Sequence, residues 1–176
     1  MINYKYLIDS DIFIQAKNFH YRFSFCKSFW EWMLVAHHSQ IVGTIDKVKK
    51  EIFRGTDEND ELKEWTNTLL PSSFFYAESH DIAVMKQYAQ VMAWSVAHQQ
   101  YNLTAKAVFA DHDRADAFLI ATASVYGQTI VSHEASAPSS HKSIKIPDAA
   151  NAFGVRTITL YDLLTLHAHG NFDLKP

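Results

Sequence analysis

Short apolar runs alternate along the chain with longer stretches in which apolar residues recur every three or four positions. The runs are typical of strands buried in a parallel sheet and predict strands at residues 6–8, 41–45, 129–132 and 155–158. The helical spacing predicts helices at residues 12–19, 28–38, 46–54, 57–67, 82–99, 113–126, 146–153 and 161–167. Gly55 and Gly127 are expected to end two of them. The alternation predicts an α/β fold with a central, mostly parallel sheet of four to five strands.

The predicted helix 113–126 differs from the others because it is apolar on nearly every side, which is typical of a buried helix. It nevertheless contains Asp116, and an unpaired carboxylate in a core is costly. Asp113 lies three residues earlier and is expected on nearly the same face. Arg114 is not expected to pair with an aspartate there, because neighbouring residues on a helix do not face each other. Asp116 therefore needs another partner, such as backbone donors or a metal ion.

The amino-acid composition is typical of an ordinary folded globular protein. The chain has 176 residues, and we expect one domain over residues 1–170 with a tail at 171–176. Hydrophobic residues make up 48% and charged residues 20% of the chain. The net charge of −3 gives no global basic field. This argues against a simple nucleic-acid-binding protein but not against an enzyme with an acidic site.

Cysteine usage and hydropathy favour the cytoplasm. Cys26 is the only cysteine, so no disulfide can form within the chain. The first residues lack the basic, apolar and small-residue sections of a signal peptide. The apolar run at residues 33–36 is too short to cross a bilayer. We therefore expect a cytoplasmic protein with no membrane partner.

Two acidic residues stand close to the ends of predicted strands. Asp9 directly follows the first strand, and Glu134 comes two residues after the third. In open α/β sheets, ligands bind in the crevice beyond the carboxyl ends of the strands. An aspartate in this position can also serve only as a helix cap, and Ser10 or Asp11 could cap the same helix.

A cluster of such carboxylates predicts a metal site. Two carboxylates about 5 Å apart repel each other by roughly 3 kcal/mol at an effective dielectric constant near 20. Three or four together need shared protons or bound cations, and hard oxygen ligands favour Mg²⁺ or Mn²⁺. No Cys/His spacing for a structural zinc is present. Such a site can support phosphodiester hydrolysis, with Ser10 and Ser132 expected to hold a water or a phosphate oxygen.

Three segments resemble PIN-domain nucleases. Residues 6–11 resemble their opening strand, residues 113–123 resemble their central acidic helix, and residues 129–134 resemble the strand and acidic position that follow. Most PIN proteins have threonine and aspartate where this chain has Ser132 and Glu134. The stretch 6–32, together with the segments 144–148 and 152–155, is similar to one bacterial branch, the DUF4411 family of uncharacterised PIN-like proteins.

The resemblance implies a three-layer α/β/α fold and Mg²⁺- or Mn²⁺-dependent cleavage of RNA. Many PIN proteins are toxins of toxin–antitoxin pairs, so it also implies an antitoxin protein as partner. Carried over to this chain, the catalytic acidic set is Asp9, Glu51, Asp116 and Glu134. The resemblance gives Asp9, Asp116 and Glu134 as metal ligands, with Asp113 as an auxiliary one. Asp11 is expected to cap the helix or to hold an outer-shell water.

Basic residues and histidines near these positions suggest substrate contacts. Lys47, Lys50 and Arg54 would share one face of a helix beside Glu51, and we expect them to grip the RNA backbone. A merely solvated face is the alternative. His112 and His133 stand next to the proposed site and could touch the substrate, or could be ordinary surface or core histidines.

Three other interpretations stay open. A PIN-like fold can serve as a catalytically silent RNA- or protein-binding module. The Asp-x-Asp start also suggests a haloacid-dehalogenase-type phosphatase with an aspartate nucleophile, but the late acidic pair of that class is missing. The aromatic residues between Phe19 and Trp32 could form a homodimer interface or belong to the core.

Overall fold

The computed structural model describes residues 4–54 and 60–174. Within these residues one sheet contains the strands β1 (Tyr6–Ile8), β2 (Val42–Ile45), β3 (Phe75–Tyr76), β4 (Thr129–Val131) and β5 (Thr157–Ile158). A separate antiparallel pair consists of β6 (Ala168–His169) and β7 (Asp173–Leu174). Residues 173–174 lie within the expected tail, 171–176. They pair with Ala168–His169, near the end of the expected domain.

The described helices are α1 (Ser10–Gln15), α2 (Lys27–His38), α3 (Asp46–Ile52), α4 (Glu61–Thr68), α5 (Ile82–Ala97), α6 (Leu103–Phe109), α7 (Asp116–Tyr126), α8 (Ile146–Ala152) and α9 (Leu160–His167). A π-helical segment, Ala16–His20, continues α1. Short 3₁₀ segments lie at Ser72–Phe74, Glu78–His80 and Gly170–Phe172. None of the helices described is both long and apolar enough to cross a membrane.

All neighbouring strands of the main sheet are parallel, and their order is β3-β2-β1-β4-β5. The chain moves outward from β1 to β3 on one side, then crosses back and adds β4 and β5 on the other. Strand order therefore reverses between β1 and β4. The carboxyl ends of these two strands flank the crevice in which open α/β sheets bind ligands.

Helices cover both faces of this sheet. Crossovers between parallel strands are right-handed, so the helices before β3 lie on one face and those between β3 and β5 on the other. On the second face, α7 packs against α5 and α8 and against β4. The predicted three-layer α/β/α fold with a central parallel sheet is confirmed.

The core forms where these layers meet the sheet, and α7 lies at its centre. Every residue from Ala117 to Ala123 is buried, so the expectation of a buried helix is confirmed. Phe118 stacks on Tyr88 of α5 with ring centroids 4.1 Å apart. Gly127 ends α7 in the left-handed conformation (φ 68°), as its position in the sequence predicted.

Several boundaries differ from those expected. The helix predicted from residue 113 begins at Asp116, because the Arg114 N–H donates to the Asp111 carbonyl in a preceding turn. The prediction that Asp113 shares a helix face with Asp116 is therefore wrong. The sequence pattern predicted neither β3, which has two residues, nor α6, which has seven. Gly55 and the residues 57–59 of another predicted helix lie outside the described residues.

Candidate active site

Asp9 ends β1 and begins α1. Its backbone is extended (φ −75°, ψ 155°), and its Oδ1 accepts a hydrogen bond from the Ser10 N–H at 2.7 Å. Its Oδ2 accepts from Ser132 Oγ at 2.9 Å, and the residue is only 4% exposed. Asp9 is therefore the N-cap of α1, a role that the sequence left open between Asp9, Ser10 and Asp11.

Asp11 stands beside Asp9 in the first turn of α1. Its Oδ2 accepts from the His133 N–H at 2.9 Å and lies 3.2 Å from Ser132 Oγ. The single hydroxyl proton of Ser132 therefore serves two neighbouring carboxylates. Asp11 Oδ1 is buried and has no hydrogen-bond partner within the described residues, so this carboxylate retains an unused acceptor.

Asp116 is the first residue of α7, where the helix dipole favours a negative charge. The Arg114 Nε lies 3.7 Å from Asp116 Oδ2. The pair forms because Arg114 belongs to the turn before α7 and not to the helix, so the helical geometry that argued against it does not apply. The Arg114 Nε is buried and has no hydrogen-bond partner in the described part of the chain.

Glu51 joins three elements at the site. It lies near the end of α3, and its Oε2 accepts a hydrogen bond from Ser10 Oγ at 2.5 Å. Its Oε1 accepts from the Ala115 N–H at 2.9 Å, immediately before α7. Glu51 thus fastens α1 and the start of α7 to α3, and both of its oxygens have donors.

Glu134 follows β4 and is held from the other side of the site. Its Oε1 accepts from Lys145 Nζ at 2.8 Å, and its Oε2 accepts from the Ile146 N–H at the start of α8, also at 2.8 Å. The loop between β4 and α8 is therefore closed onto Glu134, and both carboxylate oxygens are engaged.

These side chains line one cavity of about 300 Å³, whose walls are formed by Asp9, Ser10, Asp11, Gln15, Glu51, Arg114, Asp116, His133 and Glu134. A larger cavity of about 560 Å³, lined in part by Trp94 and Asn151, contains none of the predicted site residues. In residues 4–54 and 60–174, no group of three or more His, Cys, Asp or Glu side chains is arranged so that it could hold a metal ion.

The electrostatics of the cavity disfavour negative charge. Burial, and then the charges of Asp11 and Asp116, raise the pKa of Asp9 well above its ordinary value. Burial also raises the pKa of Asp11. The pKa of Asp116 rises to about 6, chiefly through burial, although Arg114 opposes the rise. Each of these three carboxyl groups is therefore harder to ionise than an exposed one.

Two of the three basic residues expected to grip RNA are engaged within the fold. Lys47 is 2% exposed, and its Nζ donates to the His112 carbonyl oxygen at 2.6 Å. Arg54 lies beyond the end of α3 and donates to the Asp113 carbonyl oxygen. Lys50 is exposed. The three residues therefore do not share one helix, and their contact with RNA stays a prediction.

Asp113 is separated from the acidic side chains. Asp113 is exposed, and it is not one of the described residues that line the acidic cavity. Its N–H donates to Asp111 Oδ1 at 3.0 Å, so it belongs to the turn that precedes α7. Nothing in this placement supports the predicted role as an auxiliary metal ligand.

Sequence reasoning gave three cavity residues too little weight. Gln15 was not singled out, Asp11 was given only a helix-cap or outer-shell role, and Arg114 was set aside as a partner. The available signal for Gln15 was its spacing of four from Asp11, which places both on one side of α1. No periodic signal marked Arg114, because a turn has none.

Comparison with known proteins yields one match. The family described as "Domain of unknown function (DUF4411)" matches residues 6–170, which is nearly the whole chain. No curated protein and no solved structure matches the chain. The extent of the match shows that the chain belongs to the DUF4411 family.

Proposed function

We propose that the protein is a metal-dependent endoribonuclease of PIN type, which hydrolyses RNA phosphodiester bonds. One observation carries the proposal: acidic side chains from four separate segments line a single cavity where the strand order reverses. The PIN-like resemblance of the segments around Asp9, Asp116 and Glu134 agrees with that chemistry.

The donor set suits a hard cation. Carboxylate oxygens are the preferred ligands of Mg²⁺ and Mn²⁺. Burial raises the pKa values of Asp9 and Asp116, so a bound cation would favour their ionised forms. We propose these two residues as the principal ligands. Glu134 could join them while it keeps its hydrogen bonds from Lys145 and the Ile146 N–H, because each carboxylate oxygen has two lone pairs. A bound Mg²⁺ or Mn²⁺ would neutralise the phosphate and make water a better nucleophile.

The protein side chains position the reacting groups. Ser10 N–H and Ser132 Oγ fix the Asp9 carboxylate from both sides. Glu51, on α3, accepts hydrogen bonds from the start of α1 and from the residue before α7, and so fixes these two segments relative to α3. Arg114 supplies a guanidinium at the cavity wall, where it can contact a phosphate oxygen of the substrate. In this assignment Glu51 acts as a positioning residue.

The biological role proposed is that of a toxin in a toxin–antitoxin pair. RNA is then the substrate, and an antitoxin protein that fills the acidic cavity is the partner. A homodimer is a further proposal. Of the aromatic residues considered for its interface, Phe29 and Trp30 are buried in the core, whereas Phe19 and Phe25 are 65% and 66% exposed. Of these four residues, Phe19 and Phe25 are therefore the ones proposed for the interface.

Cleavage of single-stranded RNA in Mn²⁺ tests the proposal. The wild-type protein should cut RNA, EDTA should stop it, and Asp9→Asn and Asp116→Asn should each lower kcat by at least about a hundredfold. Lys86→Ala, at an exposed position of α5 that does not line the cavity, is the surface control and should cut normally. Cleavage that persists in both aspartate variants would falsify the assignment.

A silent binding module is the second candidate. It is favoured by the lack of a ready three-ligand metal group among the described residues. RNA binding without turnover in any divalent cation would support it. The phosphatase alternative gains no such support, because the Thr44 hydroxyl donates to the Ile8 carbonyl at 2.5 Å and is not available to a phosphate.

A further inference from the structure

Three rings gather beside the acidic cavity. His133, which lines the cavity, lies with its ring centroid 5.9 Å from that of His20 and 6.1 Å from that of Tyr161. The His20 and Tyr161 centroids are 6.3 Å apart. The cluster joins the end of the π-helical segment, the second residue after β4 and the first turn of α9.

Two of these rings are presented to solvent. Tyr161 is 51% exposed, and His20 is exposed at the end of the π-helical segment Ala16–His20. π-helical turns are rare and often occur at functional sites. Here the turn follows α1 directly, so the segment that carries Asp9 and Asp11 also brings His20 to the cavity rim.

The three rings are not stacked on one another. Their planes are inclined at 48°, 56° and 76°, and the rings of Phe19 and Tyr21 next to His20 are inclined to it at 58° and 57°. By contrast, Tyr21 and Phe29 are stacked at 4.4 Å and 15°. Exposed rings that are not stacked on a neighbour can accept a nucleobase.

We infer that His20 and Tyr161 form a stacking platform for an unpaired nucleobase next to the phosphodiester in the acidic cavity. The inference rests on the proposed function and adds two residues that contact the substrate. A base can reach the platform only when it is not stacked within a duplex, so the preferred substrate is single-stranded RNA. Every base can stack on an aromatic ring, so the platform distinguishes single-stranded from double-stranded RNA but not one sequence from another.

Fluorescence of a stacked probe tests the platform directly. Short single-stranded RNAs that carry one 2-aminopurine at successive positions are titrated with wild-type protein in Ca²⁺, and each probe is checked to be intact afterwards. Binding should quench the probe at one or two positions. Tyr161→Ala and His20→Ala should each weaken binding by about tenfold and remove the quenching, whereas Tyr161→Phe, which keeps the ring, should retain both.

The matched pair at Tyr161 guards against a folding artefact. The residue is half-exposed, and α9 keeps its capping box of Thr159 and Asp162 in every variant. A double-stranded RNA of the same sequence should bind the wild type and both alanine variants with equal, weaker affinity.

Cleavage in Mn²⁺ separates failure of the platform from failure of the proposed function. Ring-dependent binding without any cleavage would overturn the nuclease and leave the platform standing. Cleavage with an unchanged KM for single strands in Tyr161→Ala and His20→Ala would overturn the platform and leave the nuclease. No detectable binding of single-stranded RNA by the wild type would also overturn the platform.

Discussion

Asp9 carries a buried carboxylate whose charge the surrounding fold does not favour. It has well-placed donors in the Ser10 N–H and Ser132 Oγ. Burial and the nearby charges of Asp11 and Asp116 nevertheless raise its pKa. An ionised Asp9 therefore destabilises the folded state.

Replacing Asp9 with Asn should stabilise the metal-free protein. The amide oxygen can accept from the Ser10 N–H, and the amide nitrogen can donate to Ser132 Oγ, which is also an acceptor. Removing the charge should raise the free energy of unfolding by about 1 kcal/mol. Urea unfolding in EDTA at neutral pH measures the change.

Asp60→Asn is the control for this prediction. Burial alone would raise the pKa of Asp60, but hydrogen bonds from Lys17 and the Leu62 N–H lower it overall. Removal of that charge should cost about 0.5 kcal/mol. The prediction for Asp9 is wrong if both variants lose stability.

Arg114 should bind the RNA backbone through charge. We expect Arg114→Ala to weaken RNA binding several-fold and to reduce the slope of log Kd against log salt by roughly 0.7, the loss of one phosphate contact on a single strand. Binding of RNA in Ca²⁺ at several salt concentrations gives the slope. Lys86→Ala, outside the cavity, is the control, and equal slopes for the two variants would remove Arg114 from the site.

At the scale of single residues, the sequence predicted the acidic residues of the cavity better than it predicted their hydrogen-bond and ion-pair partners. Asp9 and Asp116 were noticed because each interrupts an apolar segment. The ion pair of Glu134 with Lys145 was not, because these residues are 11 positions apart in a loop that has no periodicity to set its path. Likewise nothing in the sequence indicated that Lys47 is buried.

Among the elements, α3 acts as a clamp on the turn before α7. Lys47 donates to the His112 carbonyl, Arg54 to the Asp113 carbonyl, and Glu51 accepts from the Ala115 N–H. The Lys47 ammonium also lies 5.0 Å from the centre of the Phe118 ring. These contacts set the position at which α7 begins, and so the position of its acidic first residue.

Lys47→Met should loosen this turn while the core stays packed. The methionine can keep the contact with Phe118 but cannot donate to the His112 carbonyl. Amide hydrogen exchange at residues 111–115 should accelerate by about tenfold, while global stability changes by less than about 1.5 kcal/mol. Cleavage should also decline.

Lys49→Met provides a matched control on the same helix. The Lys49 ammonium lies 5.0 Å from the Phe75 ring centre, and no contact with the turn is seen in the described residues. Exchange at residues 111–115 should stay at the wild-type rate. Faster exchange in both variants would indicate a general weakening of α3 and not a clamp.

A second junction, at Asp81, predicts a pH dependence of stability. Hydrogen bonds from the Tyr126 and Tyr76 hydroxyls lower the pKa of Asp81 from 3.8 to about 2. A lowered folded-state pKa contributes stability that is present above pH 3.8 and lost as pH falls through about 2. After solvent screening we expect about 1 kcal/mol.

Asp81→Asn isolates that contribution, because Asn remains a good N-cap for α5. The variant should unfold more easily than the wild type by about 1 kcal/mol at pH 6, and the difference should vanish near pH 2. Urea unfolding across this range measures it. A difference that stays constant with pH would show that the charge is not involved.

At the scale of the whole molecule, the alternation of strands and helices was enough to predict the fold class. It also placed Asp9 and Glu134 at one edge of the sheet, because parallel strands share a direction. The order β3-β2-β1-β4-β5 was not predictable, since it depends on which strands pair across long connections. That order makes β1 and β4 neighbours and so brings the two acids to one cavity.

Because acids from distant segments share the cavity, a bound cation should stabilise the whole fold. At a concentration one hundred times its Kd, Mn²⁺ should add about 2.7 kcal/mol to the free energy of unfolding, and excess EDTA should remove it. Asp9→Asn and Asp116→Asn should lose this gain, whereas Asp60→Asn should keep it.

Asp9→Asn should therefore be more stable than the wild type in EDTA and less stable than the wild type in Mn²⁺. This exchange of order is expected only if the Asp9 carboxylate is destabilising without the metal ion and binds it when it is present. If Mn²⁺ leaves the wild type unchanged, or stabilises it and both cavity variants equally, the acidic cavity does not bind the metal and the silent module becomes the better explanation.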